Sequence, residues 1–159
     1  MIATALPSAV TARSLTSEEI PLILRTCWEA DDDFLVTLHR KAPCSLDEAL
    51  ADTVRLLSEA SDTECFVLED EGKTVGLICL QQQRDYLTAF ALAPSYRTFD
   101  GKLLFVAALD ELTNGEQVLV ALYERNVRAI RFLQEFFHAT AEHRFIDPDL
   151  NLPVVLFSI

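Results

Sequence analysis

The segment from Arg97 to Lys102 is where residue types and their order best suit a chemical task, the binding of an anion. An apolar run over residues 86–92 predicts a strand buried on both faces, and Pro94 ends it because proline has no N–H to donate to a sheet. From Lys102 a second apolar run predicts a mostly buried helix. A helix start that follows a buried strand presents free N–H groups and a positive dipole end. The segment therefore predicts a seat for phosphate, although any α/β core contains such a connection.

The charge of the chain is unevenly distributed around this segment. The net charge of −12 disfavours nucleic acid as a partner, because neutralising phosphates requires a clustered basic surface. Residues 97–131, in contrast, hold five acidic and five basic side chains. Among them Arg125, Arg128 and Arg131 could meet phosphates or simply solvate a helix face. An acidic remainder favours a cationic second substrate such as an amine, and solubility explains it equally well.

Length and composition predict one cytoplasmic domain. The chain has 159 residues, half of them hydrophobic, which suits a single core over residues 10–159 with residues 1–9 as a tail. The four cysteines include no C-x-x-C pair and no histidine stands at ligand spacing, so we expect no metal and reduced thiols. No stretch approaches the roughly 20 apolar residues of a membrane span, so we expect no membrane role.

Capping boxes, turn residues and apolar periodicity divide the rest of the chain into elements that would position the segment. Thr16 with Glu19 predicts the start of a first helix running to about residue 30, and Ser45 with Glu48 predicts the start of a second. The other predicted elements are a strand over 10–15, a hairpin over 65–82, a helix end at 114–115, a strand over 118–123, a helix over 126–137 and an edge or return strand over 154–159. This order predicts a mixed sheet flanked by helices on both faces.

Three stretches in this order carry a family resemblance. The hairpin FVLEDEGKTVGLICL, the P-x-Y-R exit at 94–97 and the segment VALYERNVRAIRFLQEFF together resemble the GNAT superfamily of acyl-CoA-dependent N-acyltransferases. The family motif L-x-V-x-x-x-N-x-x-A stands here as Val120, Leu122, Asn126 and Ala129. The resemblance covers residues 10–159. It implies an α/β (α+β) fold with a mixed, mostly antiparallel central sheet of six to seven strands, and acetyl-CoA as co-substrate.

The resemblance also implies how acetyl-CoA would be held. In the family, backbone amides of the strand bond the pantetheine arm and polarise the acyl carbonyl, and the loop and helix start hold the pyrophosphate. The implied positions are Phe90, Ala91 and Leu92 on the strand, Arg97, Thr98, Phe99, Gly101 and Lys102 in the loop and helix start, and Asn126 of the later motif. Asp100 departs from the family loop R/Q-x-x-G-x-G/A, because it stands in the first glycine position; its alternative role is a helix N-cap.

Two proton-transfer positions also depart from the family pattern. The tyrosine found seven residues after the asparagine is Leu133 here, and the strand carboxylate is replaced by Thr88 or Ala89. Tyr123 could replace the acid, or pack at a strand end with its hydroxyl in water. Asp33, the last of three adjacent aspartates, could recruit or deprotonate an amine, or lie in a solvated loop.

The function that the resemblance implies is transfer of an acetyl group from acetyl-CoA to a primary amine of a small molecule or peptide, by direct attack. Positioning and backbone polarisation would carry the reaction, because the lost proton-transfer groups are typically worth only about 10²- to 10⁴-fold. One alternative is a catalytically inactive GNAT-fold binding or regulatory domain, including a homodimer that uses the terminal strands. Another is a different α/β fold in which residues 89 and 122 lie on strands that are not parallel neighbours.

Overall fold

The computed structural model describes residues 10–29 and 45–159. Within them the chain forms seven strands and four helices. In chain order these are β1 (Val10–Ser14), α1 (Ile20–Trp28), α2 (Leu46–Glu59), β2 (Thr63–Asp70), β3 (Lys73–Gln81), β4 (Leu87–Leu92), α3 (Phe99–Thr113), β5 (Leu119–Tyr123), α4 (Val127–Phe137), β6 (Thr140–Ile146) and β7 (Pro153–Ser158). The tail predicted over residues 1–9 and Asp33, predicted to recruit or deprotonate the amine, lie outside the described residues.

The strands form two antiparallel sheets. One has the order β1-β2-β3-β4 and the other β5-β7-β6. This confirms the prediction of a mostly antiparallel arrangement of six to seven strands. Of the two alternatives predicted for residues 154–159, the edge strand is wrong and the return strand is present, because β7 runs back antiparallel beside β6 and also pairs with β5. The exposed strand β6 forms the edge instead.

The predicted hairpin is present as β2 and β3. Its turn has two residues, Glu71 and Gly72, with φ of 48° and 79°. A two-residue turn with both residues at positive φ matches the twist of the strands it joins. The turn therefore sets the register that places β3 between β2 and β4, where its middle residues are buried.

The two predicted capping boxes have different outcomes. Ser45 caps α2 as predicted: its Oγ accepts from the Glu48 N–H at 3.2 Å, and Glu48 accepts from the Ser45 N–H at 2.8 Å. Glu19 accepts from the Thr16 N–H at 2.9 Å, yet α1 begins only at Ile20. Thr16 and Glu19 thus close a turn ahead of the helix, and Pro21 occupies the first helical turn, where a missing N–H costs nothing.

Helix α3 begins three residues before the predicted start at Lys102. Thr98 is its N-cap, and the Thr98 Oγ1 accepts from the Gly101 N–H at 3.1 Å. The prediction that Asp100 caps the helix is wrong, because Asp100 lies within the first turn, where its carboxylate still meets the positive end of the dipole. The predicted end is confirmed, with Asn114 in the left-handed conformation followed by Gly115.

Helices pack on both faces, as predicted. Helices α1 and α2 pack on one face through a cluster of buried residues: Ile20, Leu24, Leu50, Leu57, Cys65, Leu77 and Cys79. The larger cluster on the other face joins α3 and α4 to both sheets, and its largest members include Phe105, Leu109, Phe132, Leu133, Ile78, Leu80 and Phe157. The described cysteines, Cys27, Cys65 and Cys79, are buried. No helix of residues 10–29 and 45–159 has the length and apolarity to cross a membrane.

Candidate functional site

A gap opens between β4 and β5. The two strands run parallel from a single bridge at Tyr86 and Leu119, where the Leu119 N–H donates to the Asp85 carbonyl at 2.9 Å. Beyond it, no further ladder pair joins these two strands in the described part of the chain. The prediction that β4 is buried on both faces is wrong, because only Leu87 is fully buried and the later residues border the gap.

The wall formed by β4 presents backbone N–H groups to the gap. The Ala93 N–H donates to the Val75 carbonyl of β3 at 2.8 Å. Backbone groups of successive residues in a strand point to opposite neighbours, so Ala91 also faces β3, where it stands opposite Leu77. The N–H groups of Phe90 and Leu92 consequently point away from β3, into the gap. Of the three predicted strand positions, these two have the direction that a ligand in the gap requires.

Backbone groups of β5, which forms the other wall of the gap, alternate in direction in the same way. Val118 exchanges backbone hydrogen bonds with Ile159 beside β7, so the backbone of Ala121 and Tyr123 faces the gap. Tyr86 lies at the narrow end of this gap. Burial raises the pKa of its phenol, and a hydrogen bond with the Ala121 backbone opposes that rise. The Tyr86 side chain therefore lies near the backbone of Ala121 on β5.

The gap leads into a cavity of about 750 Å³. Helices α1 and α2 contribute Trp28 and Thr53 to its lining, and β6 contributes Phe145. The rest of the lining comes from β4, α3, β5, α4, β7 and the adjoining loops. Its residues are Leu87 to Leu92, Arg97, Lys102, Val120 to Tyr123, Asn126, Arg128, Ala129, Arg131, Phe132, Asp147 and Val154. A cavity of this size is in the range of small-molecule sites.

Arg97 braces one end of β4. Its Nε donates to the Leu92 carbonyl at 3.1 Å, and its Nη2 donates to the Cys27 carbonyl near the end of α1. Both carbonyls belong to partly or fully buried residues, which need a partner for their oxygen. Although Arg97 borders the cavity as predicted, its side chain joins β4 to α1.

Gly101 allows the loop to lie directly on the first turn of α3. A Cβ built at Gly101 would stand 1.9 Å from the Tyr96 carbonyl oxygen. The loop between contains a short 3-10 turn at Pro94–Tyr96. The Gly101 N–H is taken by Thr98, so the first-turn amides of Phe99 and Asp100 are the ones that a helix leaves for an anion.

Basic side chains line the cavity beside this helix start. Lys102 lies on α3, and Arg128 and Arg131 lie on the first two turns of α4. The Lys102 ammonium stands 5.5 Å from the centre of the Phe136 ring, and the exposed Phe99 ring packs against the same ring. Phe99 therefore covers α4 and is not part of the cavity lining. The three positive charges of Lys102, Arg128 and Arg131 outnumber the one negative charge of Asp100 at the helix start.

Positions of the family motif have structural roles. Asn126 is the N-cap of α4, and its Oδ1 accepts from the Ala129 N–H at 3.3 Å. Leu133, at the position of the family tyrosine, is completely buried in the larger core cluster. Thr88 and Ala89 line the cavity but bring no ionisable group. The side chains that carry charge into the cavity therefore come from other positions.

Tyr123 contacts a residue that the sequence did not single out. Its hydroxyl donates to Asp147 Oδ2 at 2.7 Å, and both residues line the cavity. The hydroxyl is thus bonded to a carboxylate and not left to water, and its role as the acid stays a prediction. Burial, followed by the hydrogen bond to Asp147, raises the pKa of Tyr123 to about 12. The phenol keeps its proton throughout the physiological range.

Asp147, Trp28 and Thr53 are among the lining residues that sequence reasoning missed. Asp147 follows β6 and stands 24 residues from Tyr123, so no local spacing joins the two. The available signal was Asp147-Pro148-Asp149, a turn-forming sequence between two strands. No group of three or more His, Cys, Asp or Glu residues in the described ranges is arranged to hold a metal ion.

Comparisons with known proteins agree with this architecture. Residues 24–138 match the model of the acetyltransferase (GNAT) family. Among solved structures, a probable GNAT-family acetyltransferase from Chromobacterium violaceum ATCC 12472 is 17% identical, with a TM-score of 0.66 over 96% of this chain and 83% of that chain. Spermidine N-acetyltransferase from Vibrio cholerae, in complex with CoA and spermine, is 17% identical, with a TM-score of 0.59 over 96% and 95%. Apo-form YjaB from Escherichia coli is 20% identical, with a TM-score of 0.63 over 94% and 96%. A search of curated proteins found no match.

Proposed function

Because the chain belongs to the GNAT family of acetyltransferases, we propose that it transfers an acetyl group from acetyl-CoA to a primary amine. The observation that carries the proposal is the divergence of β4 and β5 from one parallel bridge. That divergence leaves the N–H groups of Phe90 and Leu92 without a strand partner at the edge of a sheet. Unpaired amides beside an apolar cavity suit the amide and thioester oxygens of an extended acyl-pantetheine arm.

The thioester supplies an activated acetyl group when acetyl-CoA is bound. The chain's own contribution is to hold that group still and to polarise its carbonyl. An N–H donor aimed at the carbonyl oxygen stabilises the negative charge that develops there as an amine attacks. Because these donors belong to the backbone, the role survives substitution of the β4 side chains. Apolar side chains of β4 and β5 line the same place.

The phosphate end of the ligand would lie at the start of α3. The amides of Phe99 and Asp100 and the positive end of the dipole favour an anion there. Lys102, Arg128 and Arg131 add positive charge to the lining of the cavity. These groups explain why a chain with a net charge of −12 can still bind a polyanion.

The acceptor is proposed to be an amine because of the chemistry opposite β4. Asp147 brings a carboxylate to the cavity lining, which favours a cation. The Vibrio cholerae relative is named for acetylation of an amine, spermidine. Peptide amines, a cytoplasmic location and a homodimer remain predictions, and sedimentation would test the last of these.

Calorimetry with acetyl-CoA and thiol release with a panel of primary amines test the proposal together. We expect saturable binding of acetyl-CoA and thiol release that depends on the amine. If wild-type protein binds no acetyl-CoA and releases no thiol with any amine, acetyl transfer is excluded. Binding without turnover would instead indicate the inactive binding or regulatory domain.

A matched pair of variants at Leu92 tests the backbone donor. Leu92→Pro removes the N–H that faces the gap and spares the bonds to β3, whereas Leu92→Ala loses comparable packing and keeps the N–H. We expect Leu92→Pro to weaken acetyl-CoA binding at least about 5-fold relative to Leu92→Ala. Equal affinities in the two variants would show that this amide makes no contact with the ligand.

A further inference from the structure

Two cysteines stand opposite each other on β2 and β3. The antiparallel register pairs Cys65 with Cys79, and directly opposed residues of neighbouring strands point their side chains to the same face of a sheet. Both residues belong to the buried cluster that packs against α1 and α2, and both are thiols. The two sulfurs are therefore neighbours in the fold, although the residues are 14 positions apart in the chain.

The backbones of the two cysteines face away from each other. The Leu15 N–H donates to the Cys65 carbonyl at 2.8 Å, so the backbone of Cys65 faces β1. Cys79 faces β4, where it stands opposite Ala89, because backbone direction alternates along β3 from the Val75 carbonyl, which accepts from β4. Pairs without mutual hydrogen bonds bring their Cα atoms to about 4.5 Å, and a disulfide requires about 4.4–6.8 Å. The register therefore allows a disulfide at the short end of that range.

The two thiols interact with each other and differ in reactivity. A hydrogen bond between them lowers the pKa of Cys65 and raises the pKa of Cys79, and burial raises the pKa of Cys79 further. Cys65 is also the more accessible residue, with 8% of its surface exposed against 0% for Cys79. Because the thiolate is the form that reacts with oxidants, Cys65 is the sulfur that an oxidant meets first.

The cluster that holds the pair adjoins the wall of the cavity. Ala89 and Trp28 both pack against this cluster and line the cavity. Ala89 is the β4 partner of Cys79 and directly precedes Phe90, whose N–H faces the gap. A disulfide would draw the two sulfurs from nonbonded contact to about 2.05 Å. Because a close-packed interior passes such a displacement to its neighbours, the change reaches the β4 wall.

We propose that Cys65 and Cys79 form a reversible disulfide on reaction with a peroxide, and that this bond lowers the affinity of the adjoining cavity for acetyl-CoA. The effect on acetyl-CoA rests on the proposed function, whereas the bond itself does not. A disulfide at the short end of the Cα range is strained, so added thiols reduce it readily.

The oxidation balances with one peroxide for each pair. The Cys65 thiolate attacks one peroxide oxygen, the O–O bond breaks, and a sulfenic acid forms at Cys65 while hydroxide leaves. The hydroxide takes up the proton that Cys65 had lost and becomes the first water. The Cys79 sulfur then attacks the sulfenic sulfur, the S–O bond breaks, and the departing hydroxide takes the Cys79 proton as the second water.

Peptide mapping tests the bond, because cleavage after lysine and arginine leaves each of the four cysteines on a separate peptide. Folded wild-type protein is treated with hydrogen peroxide, remaining thiols are blocked with N-ethylmaleimide during unfolding, and the digest is analysed by mass spectrometry. We expect the peptides 56–73 and 74–84 to be joined as the main disulfide product, and dithiothreitol to separate them.

Three results of the mapping would overturn the disulfide. The first is recovery of both peptides unlinked with blocked thiols. The second is a sulfinic acid at Cys65 without the link, and the third is linkage of either peptide mainly to Cys27 or Cys44.

Calorimetry with acetyl-CoA tests the effect on the cavity. We expect oxidised wild type to bind at least about 3-fold more weakly than reduced wild type, and dithiothreitol to restore the affinity. Cys65→Ala and Cys79→Ala should bind equally before and after peroxide. Cys27→Ala, which removes a buried thiol outside the pair, should stay sensitive to peroxide. Thermal unfolding establishes that each variant is folded.

The two measurements separate the disulfide from the proposed function. Equal affinity of oxidised and reduced wild type, with the linked peptides present, would overturn the effect on the cavity. If reduced wild type binds no acetyl-CoA, the proposed function fails, and the peptide map still decides whether the disulfide forms.

Discussion

The two walls of the gap offer different kinds of group to a ligand. The β4 wall offers backbone N–H groups, braced by Arg97 and by the packing of Gly101 against the loop. The β5 wall offers side chains, with Tyr123 and Asp147 joined by a hydrogen bond of 2.7 Å. A backbone wall depends on where a strand runs, whereas a side-chain wall depends on which residues stand there. We therefore expect the first to bind what all family members share, and the second to select what this protein alone accepts.

The largest expected effect comes from breaking the β4 wall at Gly101. Alanine normally stabilises a helix by up to about 1 kcal/mol relative to glycine. Here its Cβ would stand 1.9 Å from the Tyr96 carbonyl oxygen. We expect Gly101→Ala to lower the free energy of unfolding by about 1–3 kcal/mol and to weaken acetyl-CoA binding at least about 10-fold.

Gly115→Ala, at the other end of α3, is the control for Gly101→Ala. Gly115 has φ of 70°, and its added Cβ would meet only an ordinary contact at 3.5 Å. It should cost about 1 kcal/mol through its backbone conformation and leave acetyl-CoA affinity unchanged. Chemical denaturation and calorimetry measure both quantities. A stabilised Gly101→Ala protein would show that the loop does not depend on this contact.

The next effect separates a brace from a phosphate ligand at Arg97. If the side chain mainly holds the Leu92 and Cys27 carbonyls, Arg97→Lys should lose nearly as much stability as Arg97→Ala, about 1–3 kcal/mol, because one ammonium cannot reproduce both bonds. Denaturant unfolding measures this loss. Arg55→Gln, which removes an exposed pair with Glu59 on α2, should cost less than about 0.5 kcal/mol. An Arg97→Lys protein as stable as wild type would assign the residue to the ligand.

A smaller effect is expected from the basic side chains in the cavity lining. Arg131→Gln should weaken acetyl-CoA binding by about 2- to 5-fold at low salt, because Arg131 is an exposed charge at the edge of the cavity. The difference should fade as salt screens the charge. Calorimetry at two ionic strengths measures it, with Arg55→Gln as the variant that removes one positive charge elsewhere. If Arg131→Gln and Arg55→Gln bind acetyl-CoA with equal affinity, Arg131 does not contribute to binding of the phosphate end of the ligand.

The smallest expected effect is the contribution of Tyr123, at the end of β5, to the pH dependence of stability. The pKa of Tyr123 is raised from 10.0 to about 12. The unfolded chain therefore ionises this phenol between pH 10 and 12 while the folded chain keeps its proton, so stability should fall across that interval. Tyr123→Phe should remove this part of the loss.

Phenolate absorbance checks the same prediction directly. Tyr86 and Tyr96 also have raised pKa values, so the difference between wild type and Tyr123→Phe isolates the step near pH 12. Asp147→Asn should move that step towards pH 10, because the phenol then loses its anionic acceptor. A difference spectrum that titrates near pH 10 in wild type would contradict the Tyr123–Asp147 contact.

Local signals in the sequence predicted most elements. The Ser45 capping box, the Glu71-Gly72 turn and the Asn114 cap depend on contacts within four residues, and each is present where predicted. The start of α3 was placed three residues too late although its signal is local, because Thr98 is a common N-cap residue and accepts from the Gly101 N–H. The central place of β7 depends on partners at residues 119–123 and 140–146.

The candidate site divides in the same way. The strand, loop and helix start that are proposed to hold acetyl-CoA are continuous in the chain, so the sequence alone could place them next to one another. Asp147 comes from a distant turn and acquires a role only through Tyr123. Nothing near either residue in the sequence predicts the other.

The sequence by itself determined the order of strands and helices, because periodicity and capping depend on near neighbours along the chain. It also determined the apolar character of β4 and the neutral charge of residues 97–131. Only the tertiary structure decided that β4 and β5 separate beyond Tyr86, that Arg97 points at carbonyls and that a carboxylate stands at the end of β5. These features depend on contacts between residues far apart in the chain, where burial and hydrogen-bond partners are set by the fold as a whole.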